Sequence, residues 1–66
     1  MPVAKVIEIS AESKRGFKDA INQGIAATAK TVRNIRGAWV KEQQVVVEDG
    51  RIVNYRVNLK VTFVLE

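Results

Sequence analysis

The dipeptide Asp49-Gly50 lies between two long segments rich in β-branched residues, and it limits the folds open to this chain more than any other feature. Asp-Gly in such a setting is typical of a two-residue β-hairpin turn, because both turn positions need a positive φ. From 52 to 65 apolar and polar residues alternate, as in a strand with one face on a core. The apolar positions are Tyr55, Val57, Leu59, Val61, Phe63 and Leu65. The sequence therefore predicts a long antiparallel hairpin of strands 38–48 and 52–65.

Two further elements precede the hairpin. Residues 3–9 form a short β-branched segment that predicts a strand. Between 14 and 33 apolar residues recur every three or four positions, which predicts an amphipathic helix with Ser13 as its N-cap. The apolar stripe comprises Phe17, Ile21, Ile25, Thr28, Ala29 and Val32, with Ile35 at its end. Gly24 in mid-helix costs about 1 kcal/mol relative to alanine, so we expect a strand to approach closely there.

These elements predict one small α+β domain over residues 1–66, in the order β-α-β-β, with a helix packed on a three-stranded antiparallel sheet. A chain of 66 residues buries little core, and it contains no cysteine for disulfides and no histidine for zinc. Oligomerisation is the remaining means of stabilisation. Near the turn both faces of the hairpin are apolar, at Val45, Val46, Val47, Ile52 and Val53. One helix can cover only one face, so we expect several copies to assemble.

The turn also predicts a strand register. If Glu48 pairs with Arg51, the core-face pairs are Val40 with Leu59 and Ala38 with Val61. The other face then carries Gly37, Trp39, Lys41 and Gln43 against Thr62, Lys60, Asn58 and Arg56. Glu42 and Gln44 fall on the core side in this register, which a β-bulge, or a sheet that extends beyond the helix, would resolve.

This polar face offers a candidate small-molecule site. Trp39 supplies an aromatic plane, and Gly37 leaves room two residues away on the same side. Polar groups come from Gln43, Arg56, Asn58 and Lys60. A π-face with a few convergent polar groups at an oligomer interface suits a planar or anionic ligand. The structural alternative is that Trp39 packs over the Lys60 stem, with a cation–π contribution, and binds nothing.

Three segments resemble the dodecin family: KVIEI near the N-terminus, SKRGFKDAINQGIAATAKTVRNI in the helix and YRVNLKVTFVLE at the C-terminus. The resemblance covers essentially the whole chain. It implies a hollow homododecamer of subunits in which the sheet wraps the helix, and a flavin store that is not an enzyme. In flavin-binding members a tryptophan opening the second strand stacks on the isoalloxazine, and a glutamine early in the third strand bonds the ring edge. Gly37 and Arg56 stand at these positions here, and Trp39 stands where an acidic residue is common.

The resemblance therefore leaves two functions open. One is an altered flavin site for FMN or riboflavin, in which Trp39 leans over the space left by Gly37. The other is a dodecin-fold assembly that binds no flavin, either as a structural particle or with another anionic ligand or calcium, as in some members that lack the tryptophan. The predicted polar face is basic, which disfavours calcium. Arg56 and Lys60 favour an anionic ligand such as the phosphate of a flavin nucleotide.

Other function classes fit less of the sequence. Pro2 would become an N-terminal secondary amine after removal of Met1, as in small tautomerases, but the long hairpin does not match that family's β-α-β unit. The net charge of +4 suits nucleic acid, yet Trp39 is the only aromatic predicted on the polar face, whereas RNA-binding sheets present several. No apolar run approaches the ~20 residues of a membrane span. We expect a cytoplasmic binding protein without enzymatic activity.

Overall fold

The structure is a computed structural model and describes residues 3–65. Its elements are β1 (Val3–Ser13), α1 (Phe17–Ala29), β2 (Ile35–Glu48) and β3 (Arg51–Leu65). The strands form one antiparallel sheet in the order β1-β3-β2, and α1 packs on β1 and β3. The predicted β-α-β-β fold is confirmed. No helix in the described part of the chain is long and apolar enough to cross a bilayer.

The core lies between α1 and the central strand β3. Val57, Leu59 and Val61 of β3 are at most 1% exposed, and Ala20 of the helix is fully buried against them. The predicted alternation on β3 is therefore confirmed. Tyr55 points to the helix side as expected, where its ring meets Phe17 edge to face with centroids 5.1 Å apart.

The helix lies close against the sheet at Gly24. A Cβ atom at this position would lie 3.1 Å from the Cβ of Ala11 and 3.3 Å from the Cδ1 of Ile9. The expectation that this glycine admits a strand is confirmed. Ala20 and Gly24 are the buried residues of the helix, while its larger apolar residues are only half-buried against the core.

The predicted helix bounds and N-cap are wrong. β1 continues to Ser13, and the helix begins after Gly16, whose φ of 147° favours glycine. The Ser13 hydroxyl instead accepts the backbone N–H of Arg15 at 2.9 Å and donates to Oδ2 of Asp19 at 2.5 Å. At the other end the helix stops at Ala29, and Asn34, with φ 63°, turns the chain into β2. Ser13 therefore ties the end of β1 to the first turn of the helix without capping it.

The hairpin turn and most of its register agree with the prediction. Asp49 and Gly50 have φ values of 53° and 74°, and Glu48 pairs with Arg51. The pairs Val40 with Leu59 and Ala38 with Val61 are also present. Between these two regions the register shifts twice, between Val46 and Val47 and between Val40 and Glu42, so that the shifts cancel.

The second shift is the expected bulge, and it corrects part of the predicted face. Lys41 becomes the extra residue, so Glu42 pairs with Asn58 and Gln44 pairs with Arg56. The prediction that Lys41 and Gln43 oppose Asn58 and Arg56 is therefore wrong. Gln43 pairs with Val57 and belongs to the face that the helix covers. The bulge moves both awkward polar residues out of the core side, which is the physical reason for it.

Candidate functional site

The sheet face turned away from the helix, called the open face below, carries the candidate site. Pairing across the sheet places four rows on it: Val6, Thr62 and Gly37; Glu8, Lys60 and Trp39; Ser10, Asn58 and Glu42; Glu12, Arg56 and Gln44. The prediction of a basic face is wrong, because β1 and the bulge bring carboxylates among the cations. The predicted strand 3–9 ended too early to show that Glu12 pairs with Arg56.

One end of the open face, called the paired end below, is held by a network of hydrogen bonds. Glu12 accepts from Nε of Arg56 at 2.8 Å and from Nδ2 of Asn54 at 2.6 Å. Asn58 donates to Oε1 of Glu42 at 3.0 Å. Arg56 is thus already matched by a carboxylate, so its charge is largely cancelled for an anionic ligand. A cavity of about 300 Å³ at this end is lined by Glu42, Gln43, Gln44, Arg56 and Asn58.

The other end of the open face holds a second cavity, called the Trp39 cavity. It measures about 360 Å³ and is lined by Arg36, Gly37, Ala38, Trp39 and Thr62. Trp39 is 69% exposed, an unusual state for a large aromatic side chain. A Cβ on Gly37 would meet no heavy atom within 4 Å, so the space beside the indole is open. The arrangement presents an aromatic plane and room for a second ring beside it.

The structure divides the predicted site residues between the two cavities. Gly37 and Trp39 line the Trp39 cavity, whereas Gln43, Arg56 and Asn58 line the cavity at the paired end. Lys60 pairs directly with Trp39. Trp39 is 69% exposed, so most of the indole is accessible whatever the position of the Lys60 side chain. Ligand binding by any of these residues stays a prediction.

Sequence reasoning missed three residues of the Trp39 cavity, Arg36, Ala38 and Thr62. Ala38 had been assigned to the core face by its pairing with Val61. Thr62 could have been found, because the predicted register placed it opposite Gly37. Arg36 was read as the end of the helix region, but it belongs to β2, at a register shift between Ile35 and Gly37. A bulge of this kind has no signature in the local sequence beyond the neighbouring glycine.

The carboxylates of the open face do not form a metal site within one copy. No group of three or more acidic side chains in residues 3–65 is placed to hold a metal ion. Glu8 lies 3.4 Å from Nζ of Lys41, and Glu12 and Glu42 are engaged as described above. Pro2, the residue on which the tautomerase hypothesis depends, lies outside the described residues.

Comparison with known proteins defines the family. A family model described as Dodecin matches residues 3–66. The calcium dodecin of Mycobacterium tuberculosis (strain ATCC 25618 / H37Rv) is 33% identical over 63 residues, which cover 96% of this chain and 89% of that protein. The chain belongs to the dodecin family.

Solved structures agree with this assignment. An arginine-to-alanine mutant of the T. thermophilus dodecin matches with a TM-score of 0.94 and 32% identity, covering 100% of this chain and 98% of that one. The Streptomyces davaonensis dodecin matches with a TM-score of 0.93 and 31% identity, and the match covers 98% of this chain and 96% of that one. The structure of the M. tuberculosis protein matches with a TM-score of 0.84 and 31% identity, and the match covers 97% of this chain and 91% of that one. That protein is described as a calcium-chelating antigen with a novel calcium-binding site.

Proposed function

We propose that this dodecin assembles into a homododecamer that binds and stores a planar ligand of the flavin type, FMN or riboflavin, on its open face without converting it. The observation that carries the proposal is the exposed indole of Trp39 beside the open space at Gly37. An aromatic plane next to a ring-sized gap favours stacking of a flat heterocycle. Assembly would bury this site between subunits, and the exposed apolar side chains of the hairpin provide the surface for it.

Exposed apolar residues support assembly. Val40, Val47 and Ile52 are 42%, 55% and 53% exposed, and all belong to the hairpin. The chain is small and cysteine-free, so burying this surface between copies is the available route to a stable particle. Assembly would also enclose the Trp39 cavity, which is open to solvent in one copy.

The proposed flavin site differs from the usual one of the family. Gly37 stands where flavin-binding members place the stacking tryptophan, and we infer that Trp39, on the same face, supplies the plane instead. Arg56 stands at the position of the usual ring-binding glutamine, but it pairs with Glu12 in the other cavity. The altered site therefore depends on stacking at Trp39 more than on hydrogen bonds from Arg56.

Storage without chemistry is supported by the residue inventory. The chain contains no histidine and no cysteine, which removes the commonest general base and the thiol nucleophile. The carboxylates of the open face are engaged by cations or amides. These groups are suited to holding the sheet together and to binding, and we propose no reaction for them.

Calcium is the second candidate ligand, because the M. tuberculosis relative is named a calcium dodecin. The open face of this chain carries Glu8, Glu12 and Glu42, although within one copy each is already engaged. A calcium site would therefore need carboxylates from neighbouring copies. Isothermal titration of the sized oligomer with calcium chloride, in the absence of flavin, tests this candidate directly.

The experiment that tests flavin binding uses the fact that Trp39 is the only tryptophan of the chain. The sized oligomer is titrated with riboflavin while the fluorescence of both the flavin and the indole is recorded. We expect mutual quenching that saturates at micromolar concentration. Trp39→Ala should weaken binding about 5- to 150-fold, from the ~1–3 kcal/mol typical of base–aromatic stacking, and Trp39→Phe should weaken it less.

A matched control is Lys18→Gln, on the exposed surface of the helix, which should leave the quenching curve unchanged. Size-exclusion chromatography with light scattering must show the same oligomer for every variant. An intact oligomer whose indole emission does not respond to riboflavin or FMN would overturn the flavin proposal. If that oligomer takes up calcium, the second candidate replaces the first.

A further inference from the structure

The wall of the Trp39 cavity contains a cationic side chain that has no role in the stacking site proposed above. Among the residues that line the cavity, Arg36 carries the positive charge. Pairing between β2 and β3 steps from Ile35 with Phe63 to Gly37 with Thr62, which leaves Arg36 as the extra residue of a bulge. A bulge re-aims the side chain of its extra residue, and here that residue borders the cavity.

Arg36 also differs from Arg56 because it has no carboxylate partner among residues 3–65. The ion pairs within residues 3–65 join Lys41 to Glu8 and Arg56 to Glu12. Arg36 belongs to neither pair and is exposed. Its guanidinium is therefore available to an incoming anion, whereas an anion at Arg56 would have to compete with Glu12 at 2.8 Å.

We propose that Arg36 makes the Trp39 cavity selective for planar ligands that carry a phosphate, over neutral planar ligands of the same ring system. This inference rests on the proposed function, since stacking on Trp39 supplies the common part of the affinity. A guanidinium donates two parallel hydrogen bonds to a phosphate, a geometry that a lysine ammonium does not reproduce. In flavin terms, the cavity prefers FMN to riboflavin.

The remaining wall of the cavity is consistent with this selectivity. Thr62 lies opposite Gly37 and places a hydroxyl group on the same wall. The charged neighbour of Trp39 across the sheet is Lys60, which adds positive potential without occupying the cavity. The ring would lie against the indole and the phosphate would extend toward the bulge.

The test compares two ligands that differ by one phosphate. Kd values for FMN and riboflavin are measured by flavin quenching on the intact oligomer of the wild type, Arg36→Gln and Arg36→Lys. We expect the wild type to bind FMN at least about tenfold more tightly, the equivalent of ~1.4 kcal/mol. Arg36→Gln should bring the FMN-to-riboflavin affinity ratio close to one, and Arg36→Lys should leave it in between. Riboflavin affinity should change much less than FMN affinity across the three proteins.

Charge and salt provide the controls. Lys18→Gln removes the same unit charge from the helix surface and should leave the affinity ratio unchanged. Added salt should lower FMN affinity in the wild type and have less effect in Arg36→Gln, because the screened interaction is then absent.

Three results would overturn the inference. Equal affinities for the two flavins in the wild type, or a ratio that survives Arg36→Gln, would show that Arg36 does not select the phosphate, while riboflavin binding would leave the proposed function intact. Failure of both flavins to bind an intact oligomer would remove the proposed function and the inference together.

Discussion

The two strands of the hairpin are joined by a two-residue turn and have similar lengths, 14 residues in β2 and 15 in β3, yet their surroundings differ sharply. In β3, Val57, Leu59 and Val61 are at most 1% exposed. In β2, Trp39 and Val40 are 69% and 42% exposed. β3 is central and lies under the helix, whereas β2 is at the edge of the sheet. The comparison indicates that β3 stabilises the subunit, while β2 presents the exposed surface on which the proposed binding and assembly depend.

The cross-strand pair Val40 and Leu59 tests this difference most directly, because both side chains share one face of the sheet. Leu59→Ala should lower the free energy of unfolding by about 2–5 kcal/mol, the usual cost of a cavity at a buried leucine. Val40→Ala should lower it by less than about 1 kcal/mol, near the centre of the range for point mutants. Urea unfolding followed by circular dichroism measures both.

Protein concentration separates folding from assembly in this experiment. The loss in Leu59→Ala should be the same at all protein concentrations. The loss in Val40→Ala should shrink on dilution if β2 lies in an interface between copies, because the interface contributes nothing once the copies dissociate. Equal, concentration-independent losses in the two variants would contradict the division of roles between the strands.

Gly37→Trp examines whether β2 has room for a second tryptophan beside Trp39. A Cβ at this position meets nothing within 4 Å, so the side chain should be accepted without loss of the fold. A second stacking plane should tighten riboflavin binding by about 1–3 kcal/mol. The readout is the Kd from flavin quenching, and Gly37→Ala is the control that adds a side chain without a plane. Unchanged affinity in Gly37→Trp would mean that the ligand does not lie over this position.

Gly24 and Gly37 allow the same comparison for tight packing, because a methyl group added at Gly24 meets the sheet and one added at Gly37 meets open space. Gly24→Ala gains about 1 kcal/mol of helix propensity but pushes a methyl group against the Cβ of Ala11, at 3.1 Å, where overpacking typically costs about 1–3 kcal/mol. We expect a net loss of about 1 kcal/mol, since Ala11 is fixed to the sheet backbone. Gly37→Ala should change stability by less than about 0.5 kcal/mol. Thermal unfolding of the two variants gives the comparison, and a more stable Gly24→Ala would refute it.

The smallest expected effect is on the titration of Asp19, at the junction of β1 and the helix. The Ser13 hydroxyl, and to a smaller extent Gln23 and Arg15, hold the pKa of Asp19 below its ordinary value. A carboxylate with a lowered folded-state pKa stabilises the fold above its unfolded-state pKa, and this contribution disappears as pH falls through the folded-state pKa. Ser13→Ala should therefore raise the pKa of Asp19 toward its ordinary value.

Carbon-detected NMR titration of the Asp19 carboxyl group measures this change. Ser10→Ala makes the same substitution on β1, at a position on the open face, and should leave the pKa of Asp19 where it is. A pKa that does not respond to Ser13→Ala would show that the hydroxyl is not the main cause of the shift.

Much of the hairpin could be predicted, because its determinants are local. Asp49-Gly50 requires a tight turn, and the turn together with period-two alternation determines which residues pair next to it. The direction of Tyr55 followed from the same alternation, whereas the close approach at Gly24 followed from the cost of a glycine in mid-helix. The bulge at Lys41 was anticipated only as one way to move Glu42 and Gln44 off the core side. The bulge at Arg36 was not anticipated, because nothing in the neighbouring residues requires it.

The open face was predicted less well, since it combines three strands that are distant in sequence. Glu12 is 44 residues from Arg56, and their ion pair depends on how far β1 continues and on its register with β3. The pattern around Ser13 favoured a helix cap, but pairing of β1 with the long central strand kept it extended to that residue. The predicted face was therefore too basic, because the prediction did not include the carboxylates that β1 contributes.

The sequence by itself determined the order of the elements, the hairpin turn, the inward face of β3 and the family to which the chain belongs. Each of these depends on short-range pattern: turn chemistry, alternation, or identity with relatives along the chain. Only the tertiary structure decided that Arg56 is neutralised by Glu12 while Arg36 borders the Trp39 cavity. Such pairings depend on register shifts, and a shift of one residue moves a side chain to the other face of a sheet or leaves it without a partner.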